Sequence, residues 1–395
     1  MTTEKKRILS IDILRGLVMV IMALDHTRDF FHNNGSMMSD PMDPETTNVF
    51  LYFTRWITHF CAPTFVFLSG ISAYLSAKNK DPKQASAFLI KRGLWLILVE
   101  VLLITLGLTF NPFYNFIILQ VIWAIGCSMI LLGIVSRFSQ KAVLAVGLLL
   151  FFGHNLLNYL SLPAGDTFSG RLIQILLTGR GNVIPIGEQH FLGAFYTILP
   201  WTALMFVGYA IGHWYSTSFD TQKRRKLLCY SGIGLFTLFI VLRYFSGYGN
   251  PTPRTVHTDT LKSIFDFFNV SKYPPSLQFY GMTLGPALLL LASLESVKNR
   301  FTDILRVYGN VPFFYYVLHF YIIHLATVIF FFAWGYGAKD IVSPNSPFLF
   351  RPDNFGYSLP IVYLVWFAVV AILYQPCIWF KKYKEHHNQW WLKYL

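Results

Sequence analysis

The chain contains about ten apolar segments of membrane-spanning length, and this repetition constrains its fold more than any other feature. An α-helix that crosses a bilayer needs about 20 consecutive apolar residues. Such segments follow one another along most of the 395 residues, which leaves no room for a separate soluble domain of ordinary size. We therefore expect an all-α, polytopic integral membrane bundle that forms a single transmembrane domain over residues 1–395. The predicted spans are residues 9–31, 51–77, 87–109, 115–136, 141–161, 190–215, 227–246, 277–296, 308–334 and 358–380, and two of them are candidates for broken helices.

Composition supports the membrane class, because 54% of the residues are hydrophobic and only 13% are charged. The formal net charge of +13 does not indicate nucleic-acid binding, since the basic residues form short clusters between the apolar segments. Most clusters fall on one side of the predicted topology, at residues 5–7, 78–83, 223–226 and 381–384. The loop over residues 33–49 on the other side contains no Lys or Arg. By the positive-inside rule we expect both termini to be cytoplasmic.

Three further features refine this class. The first apolar segment lacks a clear small-residue cleavage site, so we expect a retained helix and not a removed signal peptide. Two amphipathic segments, residues 171–177 and 260–268, are expected along the outer membrane interface. The cysteines lie in apolar segments without CxxC or Cys/His spacing, so neither a disulfide framework nor a metal site is predicted. They are Cys61, Cys127, Cys229 and Cys377.

The first span carries charged residues where they are costly, which by default marks function. Asp12 and Arg15 are three residues apart and share one helix face, so we expect them to pair. From Arg15 to His26 is eleven residues, which returns to within about 20° of the same face after a rise of about 16 Å. Arg15 suits a phosphate or carboxylate, and His26 suits proton transfer. On this pattern alone, an interfacial anchor at Arg15 and a helix cap at His26 remain equally open.

The second span also carries ionisable residues within an apolar segment. Arg55 and His59 are four residues apart and share a face. Pro63, one turn further on, lies within the predicted span, where a proline frees a backbone carbonyl that only an internal partner or water can satisfy. The alternative, with Arg55 as an interfacial anchor and His59 as a hydrogen bonder between helices, stays open.

Other intramembrane polar residues are candidates for a supporting role. We expect Glu100, in the third span, to pair with Arg15 or Arg55, and a structural role is favoured over a catalytic one. His319 and His324 are about 140° apart around their helix, so one is expected to face a central cavity and the other a neighbouring helix. Asp25 is a candidate to orient or balance His26. Glu188 and His190 are secondary candidates on the outer side.

Several ordered segments resemble one protein family. The opening RILSIDILRGLVMVIMALDH resembles the first helix of the heparan-alpha-glucosaminide N-acetyltransferase catalytic family, and the Arg15, ten residues, His26 spacing is similar to the Arg-x10-His signature of membrane acyltransferases that O-acylate surface polysaccharides. The resemblance covers essentially the whole chain. Its other segments are FTRWITHFCAPTFVFLSG, KRGLWLILVE, LQVIWAIGCSM, LPWTALMFVGYAIG, KYPPSLQFYGMTLGPALLLL and VPFFYYVLHFYIIH.

The resemblance implies transfer of an acyl group, typically acetyl from acetyl-CoA, across the membrane to a sugar or glycan acceptor, with no permanently bound cofactor. It implies that Arg15 and His26 are needed for activity and that a histidine acts as base or transient acyl carrier. We expect Arg15, with Asp12 and Arg55, to bind the donor. The family's animal lysosomal enzyme has asparagine at the position of His26, and its essential histidine lies nearer the position of His32. The base is therefore open between His26 and His32, and His59 is a third candidate.

Two other functions fit the same residues. A transporter for a small anion or glycan precursor would also place Arg, His and Glu along a path, but no repeat of broken helices in corresponding halves is visible. A non-catalytic envelope-assembly protein would use its polar residues only to hold helices together. We expect a bacterial cytoplasmic-membrane protein whose partners are membrane lipids, acyl-CoA and a saccharide. Homo-oligomer formation, the acceptor sugar and the acyl chain are left open.

Overall fold

The structure is a computed structural model that describes residues 8–33, 40–160, 163, 165, 167–178, 183–344 and 346–393. The basic cluster at residues 5–7, used above to orient the N-terminus, lies outside these residues. The described chain is mostly helical. Its α-helices are α1 (Leu9–Phe31), α2 (Val49–Thr58), α3 (Cys61–Ala77), α4 (Pro82–Val99), α5 (Thr105–Thr109), α6 (Val121–Val135), α7 (Gln140–Gly153), α8 (Phe168–Ile173), α9 (Ile198–Ile211), α10 (Thr221–Phe245), α11 (Thr260–Phe268), α12 (Leu277–Ser293), α13 (Arg300–Asn310), α14 (Pro312–Ala333) and α15 (Leu359–His386).

Each predicted span contains at least one helix, but length and composition alone support fewer crossings than the ten expected. Five helical segments of the described chain are long and apolar enough to cross a membrane. They are Val49–Ala77, Gln140–Tyr159, Thr221–Phe245, Pro312–Ala333 and Leu359–His386. Helix α1 is long enough but carries five charged residues, namely Asp12, Arg15, Asp25, Arg28 and Asp29. The helical content and these five segments are those of an integral membrane protein.

A small sheet corrects the all-α expectation. Strand β1 (Phe116–Leu119) pairs in parallel with β3 (Phe191–Ala194), which pairs antiparallel with β2 (Val183–Pro185). Two predicted spans, 115–136 and 190–215, therefore begin as strands and become helical only at α6 and α9. A short apolar run such as FIIL cannot be assigned to helix or strand from its periodicity, which is why these two boundaries were wrong.

Helix α1 lies at the centre of the bundle. It contacts α2, α3, α12, α13, α14 and α15. Met19, Ala23 and Phe31 on α1 have no solvent exposure. The charged residues of α1 therefore face other protein segments and enclosed space, which is where a membrane protein can hold them.

Close glycine contacts fix the inner half of α1, which we define as the half nearer its N-terminus. A Cβ atom added to Gly16 of α1 would lie 1.9 Å from the backbone oxygen of Leu305, and one added to Gly309 of α13 would lie 1.8 Å from that of Asp12. Small residues at such interfaces let two backbones approach closely. Three other helix pairs meet in the same way, through Gly70 and Gly208, Gly93 and Gly126, and Gly232 and Gly285.

An arginine holds the opposite end of α1. Arg351, which is 3% exposed, donates from Nε to the backbone oxygen of Phe30 at 3.1 Å and from Nη2 to that of His32 at 3.1 Å. The last carbonyls of a helix have no partner within it. The guanidinium satisfies two backbone oxygens at this end and holds α1 against the loop that precedes α15.

Two predicted spans are interrupted. The second is divided into α2 and α3, with His59 between them. Pro63 thus lies in the first turn of α3, where a proline is tolerated. The third span contains a π-helical segment, Glu100–Ile104, between α4 and α5; such segments occur frequently at functional sites.

Candidate active site

The inner end of α1 holds the expected pair of charges. Arg15 Nη1 lies 3.3 Å from Asp12 Oδ1, which confirms the predicted pairing. Arg15 also donates from Nη2 to Ser72 Oγ at 2.8 Å and from Nη1 to the backbone oxygen of Gly309 at 3.3 Å. Arg15 therefore links α1 to α3 and α13, and it holds its charge at one place in the wall of a cavity.

That cavity, which we call the inner cavity, has a volume of about 1080 Å³. A second charge pair lies in its wall: Arg224 Nε donates to Glu295 Oε1 at 2.9 Å, and Ser10 Oγ donates to the same carboxylate oxygen at 3.2 Å. The polar residues that line it include Ser10, Asp12, Arg15, Ser72, Lys78, Arg224 and Glu295. Three cations and two carboxylates give this end of the bundle a net positive wall that suits an anionic ligand.

At the other end of the α1 stripe, His26 contacts His319 of α14. His26 Nδ1 lies 2.6 Å from His319 Nε2, and His319 Nδ1 lies 2.5 Å from the backbone oxygen of Tyr316. A carbonyl oxygen only accepts, so the Nδ1 of His319 carries the proton and its Nε2 is the acceptor in neutral imidazole. His26 must then donate from Nδ1. Its Nε2 is left with a lone pair, which is the form that a general base needs.

Acidic and basic residues form a network beside His26. Asp25 Oδ2 lies 2.5 Å from Arg55 Nη1, and Asp25 Oδ1 lies 3.1 Å from Arg28 Nη2. Arg28 also contacts Asp29 at 2.6 Å. Asp25 is thus engaged by two arginines, and in this geometry it balances cations instead of bonding to the imidazole of His26.

A cavity of about 680 Å³ lies beside the C-terminal half of α1, and we call it the outer cavity. Asp25, His26, Arg55 and His59 all contribute to its wall. His59 is 4% exposed, and its Nδ1 has no hydrogen-bond partner among the described residues. The structure therefore brings together His26 and His59, two of the three candidate bases, with Arg55. Aromatic side chains at Phe116, Phe195, Tyr196, Tyr273 and Phe348 complete much of the lining.

A third space lies between the inner and outer cavities. This middle cavity, of about 30 Å³, is lined by Val18, Met19, Met22 and His26 of α1 and by residues of other helices and loops. The inner cavity contacts α1 from Leu9 to Arg15, and the outer cavity contacts it from Asp25 to Asp29. The three spaces thus follow one helix from end to end. The middle one has room for only two or three water molecules, since a water needs roughly 10–15 Å³ on this measure.

Glu100 does not pair with Arg15 or Arg55, so that expectation was wrong. Its two carboxylate oxygens accept the backbone N–H groups of Gln120 and Trp123, each at 3.0 Å. These groups lie at the start of α6, where N–H groups lack partners within the helix and where negative charge is favourable. Glu100 caps α6 from a neighbouring span and fixes Gln120, which lines both the middle and the outer cavity.

The remaining candidates lie elsewhere. His32 follows the last turn of α1 and forms a backbone bridge with Tyr357. His324 stacks on Phe110 with ring centroids 3.8 Å apart and contacts the backbone oxygens of Gly107 and Leu349. Of the two histidines on α14, His319 is therefore the one that reaches the candidate site, while His324 contacts neighbouring segments.

Glu188 and His190 lie in the connection between β2 and β3 and are exposed. Neither lines the middle or the outer cavity. Among the described residues, no three side chains of His, Cys, Asp or Glu are arranged to hold a metal ion.

Three residues of the site were missed by sequence reasoning. Lys272, in the loop before α12, is 7% exposed and lines both the middle and the outer cavity. Beside it, partial burial would raise the pKa of the Tyr273 phenol, but the positive charges of Lys272 and Arg55 lower that pKa below its ordinary value. Tyr316, on α14, lines the middle cavity. All three fall in segments that carry the family resemblance, but no spacing or periodicity distinguished them from other aromatic and basic residues.

The family model described as heparan-alpha-glucosaminide N-acetyltransferase, catalytic, matches residues 7–244, which is more than half of the chain. This region contains α1 to α10 except for the last residue of α10, and so it includes His26, Arg55 and His59. No curated protein matches the chain.

Proposed function

Because the chain belongs to the heparan-alpha-glucosaminide N-acetyltransferase catalytic family, we propose that it is a membrane acetyltransferase that moves acetyl from cytoplasmic acetyl-CoA to a saccharide on the opposite side. The proposal includes about ten spans with both termini in the cytoplasm, as the basic clusters indicate. In a bacterium this would be the cytoplasmic membrane, with donor and acceptor reaching the protein from opposite faces.

One observation carries the proposal: three cavities follow α1 from the positive inner end to the histidine at the outer end. An acyl donor and an acceptor can then approach one imidazole from two sides without either molecule crossing the bundle. The positive wall of the inner cavity suits the phosphates of coenzyme A, and the aromatic and polar wall of the outer cavity suits a sugar.

In the proposed complex, Arg15, Arg224 and Lys78 hold the phosphates in the inner cavity, and Asp12 keeps Arg15 in place. The pantetheine arm extends toward His26 over a rise of about 16 Å for eleven helical residues. The middle cavity must widen to admit it. Met19 and Met22 line this space, and their unbranched thioether side chains adopt new conformations more readily than other apolar residues.

The chemical step uses the lone pair at His26 Nε2. The acceptor hydroxyl or amine attacks the thioester carbonyl carbon, and His26 removes the proton of the attacking group. The tetrahedral intermediate then collapses, the carbon–sulfur bond breaks, and the thiolate of coenzyme A takes the proton from the imidazolium. His26 ends the cycle neutral, and the products are an acetylated saccharide and free coenzyme A.

The test is transfer of labelled acetyl from acetyl-CoA by the purified protein in lipid vesicles, with glucosamine and neutral monosaccharides as acceptor probes. H26A should lose transfer, while H386A, in the exposed C-terminal part of α15, should retain it. Full activity of H26A would remove His26 as the base. A label that stays on the protein would indicate an acyl-enzyme in place of direct transfer.

Transport of a small anion or glycan precursor is the alternative, because a row of cavities also describes a path. The middle cavity is far too small for a sugar, which favours transfer over transport in this conformation. Uptake of a labelled sugar into protein-containing vesicles, with no acetylated product, would reverse that preference.

A further inference from the structure

Tyr316 has a buried hydroxyl group and lines the same cavity as His26. Its side chain has no solvent exposure, and its hydroxyl oxygen has no hydrogen-bond partner among the described residues. Leaving a buried hydroxyl unpaired costs about 1–3 kcal/mol, so such a group in a cavity wall points to a ligand that completes it. Tyr316 lines the middle cavity together with His26.

A buried cation lies in the same wall. Lys272 lines the middle cavity, and none of the described carboxylates approaches its Nζ within 4.0 Å. Its neighbour is Tyr273: Nζ lies 5.1 Å from the ring centroid, and the same ammonium interacts with the Tyr273 hydroxyl. A hydroxyl donor and an ammonium group therefore converge on a space of about 30 Å³, into which His26 also faces.

We propose that the Tyr316 hydroxyl and the Lys272 ammonium form an oxyanion site that binds the carbonyl oxygen of the thioester substrate. The inference rests on the proposed acyl transfer and adds the residues that stabilise its intermediate. Attack on the thioester carbon moves the carbonyl electron pair onto oxygen, and the two donors stabilise the resulting negative charge. When the carbon–sulfur bond breaks, the carbonyl reforms and the charge leaves with the thiolate, so neither donor needs to lose a proton.

The position of the cavity explains why the donors lie there. A thioester from the inner cavity reaches His26 through the middle cavity, whereas an acceptor reaches it from the outer cavity. The carbonyl oxygen is then on the donor side of His26, which is where Tyr316 lies. The same helix that supplies Tyr316 also supplies His319, so α14 positions both the base and the oxyanion donor.

The chain offers a matched pair of variants. Y316F removes only the hydroxyl of this cavity-lining residue, and removing an unpaired buried hydroxyl is not expected to destabilise the fold. Y315F removes the hydroxyl of the adjacent residue, which is equally buried and also lacks a partner in the described chain. Tyr315 is not among the residues that line the middle cavity, so Y315F controls for the general effect of the change.

The first measurement is acetyl transfer to the most active acceptor probe. Loss of one oxyanion donor typically lowers kcat by about 10²–10³-fold, so we expect a kcat loss of that order for Y316F, with KM for acetyl-CoA little changed. Y315F should behave as wild type. If wild-type protein transfers no acetyl, the proposed function fails; if wild type is active and Y316F matches Y315F, only the oxyanion site is overturned.

The second measurement needs no acceptor. Infrared difference spectra of bound acetyl-CoA, isotopically labelled at the thioester carbonyl, report hydrogen bonding to that oxygen. We expect the carbonyl band to lie at lower frequency than in free acetyl-CoA, and to move back toward the free position in Y316F and K272Q but not in Y315F. An unshifted band in wild type, or an equal shift in wild type and Y316F, would overturn the proposal. K272Q supplies this readout if Y316F does not fold.

Discussion

His26 Nδ1 lies 2.6 Å from His319 Nε2, and the backbone oxygen of Tyr316 fixes the direction of that hydrogen bond. His319 therefore acts on the candidate base through one tautomer. It is a positioning residue and not a group that touches substrate. The pair joins α1 and α14, two helices separated by most of the chain.

Replacing His319 should lower kcat while the protein remains folded. H319A leaves the Nδ1 proton of His26 without its acceptor, and the imidazole can then take the other tautomer or rotate away. We expect kcat to fall about 100-fold, which is within the range typical of a general base. H319Q offers an amide oxygen as acceptor and should recover part of the rate. Nitrogen-15 NMR of labelled histidine would report the tautomer directly. Equal rates for H319A and H319Q would contradict the positioning role.

The pair of Asp25 and Arg55 should dominate the stability of the outer cavity wall. R55M leaves a buried carboxylate with one arginine fewer, and breaking a buried pair costs about 3–5 kcal/mol. The double variant D25N/R55M should be closer to wild type, because Arg28 keeps Asp29 at 2.6 Å. The unfolding temperatures of R55M and D25N/R55M can be measured in detergent by following the loss of folded protein on size-exclusion chromatography. A double variant less stable than R55M would argue against this account.

Glu100 should behave as a structural residue. E100Q keeps one acceptor oxygen but turns an NH₂ group toward backbone N–H donors, and an unsatisfied buried donor costs about 1–3 kcal/mol. We expect a lower unfolding temperature and a moderate loss of activity through displacement of Gln120. E45Q, at an exposed position in the loop before α2, serves as the control. An E100Q protein with wild-type stability and no activity would instead indicate direct participation in catalysis.

The contact between α1 and α13 should not tolerate a methyl group. In G309A the new Cβ would lie 1.8 Å from the backbone oxygen of Asp12, so the helices must separate. We expect little folded protein in detergent extracts. Gly234 on α10 has nothing within 4 Å of a Cβ at its position, and G234A should be tolerated. Comparable yields of the two variants would show that this interface relaxes easily.

The sequence predicted those parts of the site that depend on local spacing. Asp12 and Arg15 pair because they are three residues apart, and Arg15 and His26 share a stripe because eleven residues complete about three turns. The helical class followed equally directly from the long apolar segments. Such statements need only one helix and its period.

The sequence could not predict contacts between distant segments. The contact of His26 with His319 depends on how α14 packs against α1, and neither residue type specifies it. Glu100 was predicted to pair with an arginine because charged residues can be identified from the sequence. The free backbone N–H groups that it caps cannot be identified in that way. The strand at Phe116–Leu119 was missed because each residue of its partner strand β3 lies 75 residues further along the chain.

Helix α1 is held at both ends, by the glycine contact with α13 and by Arg351 at its last carbonyls. The distance between Arg15 and His26 along α1 is therefore set by the geometry of the helix itself. The depth at which His26 sits relative to Arg15 cannot drift with the opening of neighbouring helices, so any widening of the passage must come from side chains or from the surrounding helices. An insertion of one residue between Arg15 and His26 would rotate the imidazole by about 100° away from the stripe, and no adjustment at the pinned ends would restore it.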